Sequence, residues 1–184
     1  MTTPSQAADQ FTSNTEVEHQ PAWLAIQDAL ESLQKRLRIE PMEMLKLSTH
    51  FNCTVRTKLA DCQSFGDEGF LQKSYLFILR SAFVSDFNQF KKSIADHPLL
   101  ETIEATNRFL EIVGADGMPH SGDLHGIRVD EDVAASNLDF VDNMERAIEQ
   151  LLAYIEKISS EADQLHDRLT QFKSGMKAQA ACVG

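Results

Sequence analysis

A chain of 184 residues with 42% hydrophobic content is long enough for one globular core and short for two. Twenty-eight acidic against seventeen basic residues leave a net charge of −11, which repels phosphate backbones and anionic lipid surfaces and argues against nucleic acid and membranes as partners. The longest apolar runs are far shorter than the roughly 20 residues of a bilayer span, the first twenty residues lack the basic and apolar blocks of a secretory leader, and three cysteines without a C-x-x-C spacing fit reduced thiols, so a cytoplasmic location is expected.

Residues 1–20 are rich in Thr, Ser, Gln, Asn and Glu with almost nothing to bury, and they read as a disordered polar arm. Such a composition is also what some specialised secretion systems take as an export signal. Pro21 suits a first helical position, and Trp23, Ile26, Leu30, Leu33 and Leu37 give the following helix a single apolar stripe. Arg38, Ile39 and Glu40 interrupt the period, and Pro41 opens a second helix with Met44, Leu47, Phe51, Val55, Leu59 and Cys62 on one face. Thr49, Thr54 and Thr57 are weak helix formers, so packing has to hold this helix. Cys53 and Cys62 lie roughly 13 Å apart along its axis and cannot bridge each other.

Ser64 to Gly69 is turn chemistry, and a third helix runs from about Phe70 to Ala95. Its middle, Tyr75 to Val84, is apolar nearly all round, the mark of a central helix. Asp96 as N-cap and Pro98 in the first turn open a fourth helix that turns Leu99, Ile103, Leu110 and Val113 inward and stops at Gly114. The loop Gly114 to Arg128 holds four of the eight glycines, and Asp130, Glu131 and Asp132 suit the positive end of a long last helix, from about Asp130 to Lys173 and on the order of 65 Å long.

That last helix carries a heptad seam: Val141, Met144, Ile148, Leu151, Ile155, Ile158, Ala162, Leu165, Leu169, Phe172 and Met176 alternate three and four apart. Up to Tyr154 the flanking positions are broadly apolar, whereas beyond it they become Ser159, Glu161, His166, Arg168 and Lys173. The fold expected is therefore all-α, about five helices in an antiparallel bundle over 21–157, with the long helix extending beyond it as a coiled-coil-like segment and a frayed tail over 158–184.

Two places invite a function. In the loop, His120, Asp123 and His125 are metal-competent and stand near Asp116 and Asp130, but a His-x-x-x-x-His pair in a Gly-rich stretch matches no known zinc spacing, and the calcium-loop pattern is absent. The di-metal bundle motif Glu-x-x-His occurs once, in the polar arm, and His50, the best placed histidine for phosphotransfer, reads as a partly buried structural residue. Nucleophile-elbow, P-loop and dinucleotide patterns are missing, so no catalytic set and no cofactor are expected. The second place is the seam past its expected cover, where Ile158, Glu161, Ala162, Leu165, Arg168, Leu169 and Phe172 either are covered by helix one or the N-terminal arm folding back, or form a partner-binding face for a foreign protein or a second copy, with Glu161 opposite Arg168 in an antiparallel homodimer. The expected function is a non-enzymatic protein-protein interaction module, an adaptor, chaperone or regulator. The alternative is a helical sensor or enzyme holding a metal or small ligand near His120 and His125.

Overall fold

The computed structural model of the chain describes residues 9–64, 70–118, 122–129 and 136–183, with backbone alone for residues 9–23, 70–72, 137 and 179–183. The described residues are all-α, with no strand: α1 (Asp9–Ser64), α2 (Phe70–Ala95), α3 (Pro98–Ile112) and α4 (Asn137–Val183).

Four helices stand where five are expected, because α1 runs unbroken through Pro41. A proline inside a helix removes one backbone bond and costs about 3 kcal/mol. What offsets this is phase: Leu30, Leu37, Met44 and Phe51 recur every seventh residue across the proline and are all buried, and Val55, Leu59 and Cys62 continue the stripe. Breaking the helix at Arg38–Glu40 would throw the two halves out of register with a common partner. Glu40 is itself buried, paired with Arg36 one turn earlier and accepting a hydrogen bond from the Thr102 hydroxyl on α3. At the other end α1 begins at Asp9, inside the stretch expected to be a disordered arm, since a nucleated helix gains one bond for each further residue.

The ends of α3 are well determined. Its N-cap is His97, not Asp96: the residue before Pro98 is held extended (φ −73°, ψ 135°), and its Nδ1 accepts the Leu99 N–H at 3.2 Å. Gly114 ends the helix at φ +73°, with Ala115 N–H bonded to the Leu110 carbonyl and Gly114 N–H to the Glu111 carbonyl, a Schellman motif. The long helix starts at Asn137, later than expected, where Ser136 Oγ accepts the Asp139 N–H at 3.1 Å and donates to the Asp139 carboxylate at 2.8 Å. Asp130, Glu131 and Asp132 lie outside the described residues, and α4 continues past Lys173 to Val183.

α1 and α4 form a long antiparallel pair, with Gln34 bonded to Thr170 and Glu31 to Lys173. α2 and α3 lie end to end along this pair, both antiparallel to α1. α2 covers one half, with Phe51 stacked on Phe90 at 3.9 Å, Lys58 paired with Asp86, and Phe83 edge-on to Phe140. α3 covers the other, through Thr102 on Glu40 and Phe109 edge-on to Phe172. The result is a bundle three helices in cross-section, whose third member is two helices joined at Asp96–His97 and packed on both α1 and α4.

This arrangement makes α3 and α4 parallel, so the connection from Val113 to Ser136 has to travel back along the bundle, about 40 Å from the level of Arg168 to that of Phe140. Residues 113–118 and 122–129 pack on the bundle along this path as a strap. Met118 N–H bonds to Asn107 Oδ1, Leu124 and Ile127 are buried, and Lys91 donates to the Ile127 carbonyl. Expected as a centre, α2 lies at the periphery instead: Leu76, Phe83, Phe87, Phe90 and Ile94 are buried while Tyr75, Phe77 and Ile78 face outward.

Candidate interaction surface

The seam of α4 is this chain's own core along its whole expected overhang. Ile158, Ala162, Leu165 and Leu169 are fully buried and Glu161 is 6% exposed, because α1 does not break at residues 38–40 but continues through Pro41, antiparallel to α4 in the register set by the Glu31–Lys173 and Gln34–Thr170 contacts. Arg168 donates to the carbonyls of Asp116 and Gly117 and so pins the strap to α4. Phe172 is half-buried against Phe109, with ring centroids 6.1 Å apart. These seven residues, expected to await a partner, are brought together by the fold and covered by it.

The strap's metal-competent residues divide differently. Asp123 spends its carboxylate on the chain, accepting the His125 N–H at 2.9 Å in an Asx turn. Gly126 completes that turn, for a Cβ there would come within 2.9 Å of Asp123 Oδ2. His125 is exposed, and His120 lies outside the described residues. Among the described residues no three His, Cys, Asp or Glu side chains converge as a metal site needs. Tyr154 nearby has its hydroxyl pushed up in pKa, first by burial and then by the negative charges of Glu161 and Asp123. An open cavity of about 550 Å³ lies between α3 and the strap, floored by Leu100, Ile103 and Met118; in its lining Arg108 pairs with Glu104, and Asn107 Oδ1 accepts the Met118 N–H.

His50, expected to be partly buried, is exposed on α1 beside Cys53, another exposed residue. Cys62 is buried, and burial pushes its thiol up in pKa, away from the reactive thiolate. Neither thiol is in a disulfide.

What remains open is apolar surface elsewhere. On α2, Phe77 is 72% exposed, Ile78 65% and Tyr75 50%, the most concentrated exposure of large apolar side chains among the described residues. A fully buried helix and a helix with one unpartnered apolar face have the same sequence signature, apolar residues on every side. That is why the sequence flags this stretch but misplaces it. A second strip runs along α1 through Ile39, Met42 and Leu45. No helix of the described residues is long and apolar enough to cross a membrane. Comparison with protein-family models, with curated proteins and with solved structures yields no match.

Proposed function

We propose that this chain is a non-enzymatic protein-protein interaction module, of the adaptor, chaperone or regulator kind, and that its working surface is the outer face of α2. The observation that carries this reading is the exposure of Tyr75, Phe77 and Ile78 within four residues of one helix whose opposite face is packed. Burying such surface against a partner returns about 25 cal/mol per Å², and aromatic anchors are the side chains on which interface energy concentrates. Lys73 on the same helix is exposed too, which favours a partner that sets an apolar segment with acidic flanks against it. With the α4 seam covered, α2 takes the place that the seam holds in the expectation from sequence.

The test is the double variant Phe77→Ser with Ile78→Ser, compared with wild type for thermal unfolding and for proteins co-purified from native lysate. We expect an unchanged unfolding temperature, since exposed positions contribute within about 0.5 kcal/mol, and loss of a specific co-purified protein. Retention of every partner by the variant, or a marked loss of stability that makes these residues core, overturns the reading.

A further inference from the structure

We infer that a second copy of this chain docks on the side of the α1–α4 pair that α2 and α3 leave open, each copy laying the outer stripe of its α1 along the outer stripe of the other's α4. The α1 stripe is exposed and apolar at its centre, with Ile39 39%, Met42 55% and Leu45 41% accessible. It is basic at its edges, where Lys35, Arg38, Lys46 and Arg56 are all exposed in a chain of net charge −11. Lys35, Arg38 and Lys46 have no ion-pair partner among the described residues. Thr49 turns its hydroxyl back onto the Leu45 carbonyl, and Cys53 follows one turn later, so the middle of the stripe is low and admits a neighbouring helix closely.

The α4 stripe has the opposite charge. Glu149, Glu156 and Asp163 recur every seventh residue and are exposed, with Asp167 continuing the row and Glu145 half-exposed at its start. Arg146 and Lys157 lie to one side of it. At about 100° per residue, Met42 stands roughly opposite Phe51 on α1, and Asp163 roughly opposite Phe172 on α4, so both stripes turn away from α2 and α3.

The register is the decisive point. The contacts Glu31–Lys173 and Gln34–Thr170 show that three steps up α1 match three steps down α4. Continued along the pair, this puts Arg38 level with His166, Lys46 with Ile158 and Arg56 with Ile148. Within one turn of those levels stand Asp163 and Asp167, Glu156, and Glu145 and Glu149. A twofold axis parallel to the helices brings the α1 of one copy over the α4 of the other at these same levels, antiparallel as within the chain, so Arg38, Lys46 and Arg56 of one stripe each meet a carboxylate of the other, and the symmetry makes each contact twice. From Lys35 to Arg56 the stripe is about 32 Å long, and two helix pairs about 10 Å wide give about 600 Å² per copy, near the ~800 Å² per partner of a standard interface.

The contact uses neither Phe77 nor Ile78 and stands or falls apart from the α2 reading. It is tested by sedimentation equilibrium on the full chain. Wild type is expected to associate into a pair that weakens with salt. Arg38→Glu with Lys46→Glu sets acid against acid, and Glu156→Lys with Asp163→Lys sets base against base; each is expected to weaken pairing at least about 100-fold while circular dichroism stays unchanged. Mixing the two variants restores pairing, because each repaired stripe then meets its complement, and the Phe77→Ser, Ile78→Ser variant pairs as wild type does. Met42→Glu, a single change in the middle of the stripe, is a second route to a single chain should the double variants misfold. A wild type that stays a single chain at the highest soluble concentration, or a pair that survives both charge reversals, overturns the inference.

Discussion

His97 caps α3 through Nδ1, which accepts the Leu99 N–H and can do so only while that nitrogen carries no proton. Burial pulls its pKa below the ordinary 6.5, against the opposing pull of Glu40 and Glu43, so the folded chain resists taking up the proton that the unfolded chain binds near that pH. Below pH 6.5 the unfolded state therefore holds more protons, and stability falls as the pH falls. Thermal unfolding scans from pH 7 to pH 5 should show this loss, and His97→Asn, which keeps a capping acceptor and removes the titration, should show less of it. The residue was legible in part. Pro98 marks the helix start and Asp96 is the stronger capping type, but the restriction that a proline places on its predecessor decides the position. Ser136 is a similar case, for S-x-x-D before the apolar run signals the cap of α4, while the carboxylates at 130–132 drew the start upstream.

At the scale of elements, Gly114 marks the stop of α3 already in the sequence, and the structure gives the reason: φ is +73° and two tail bonds close on the last turn. No atom crowds a Cβ there, so Gly114→Ala tests backbone conformation alone. It should cost about 1–2 kcal/mol in denaturant unfolding, with an unchanged slope. The single α1 was partly visible, because Leu30, Leu37, Met44 and Phe51 keep a seven-residue phase across Pro41, and a phase-preserving proline argues for one helix with one missing bond. For α2 the composition is legible in the sequence and its place is not. Apolar residues all round a helix are compatible with a core or with a face kept for a partner, and only neighbours distinguish the two.

For the whole molecule, the strap and the buried seam depend on each other. α1 reaches far enough to cover Ile158 to Leu169, and Arg168 then anchors the returning strap beneath the end of α3. Truncation after Ser160 removes Ala162, Leu165 and Leu169 from the core and uncovers Leu30, Leu37 and Leu110. Because each buried leucine lost costs about 2–5 kcal/mol against a total of about 5–15, the shortened chain should show no cooperative unfolding transition by circular dichroism. The sequence by itself determined the all-α class, the heptad seam of α4 and the stop at Gly114, since these rest on periodicity and local backbone chemistry that act within a few residues. Only the tertiary structure decided that the seam is core, that the glycine-rich loop is a strap and that α2 keeps an open face, because each depends on how far a helix extends and what lies beside it, which no local pattern contains.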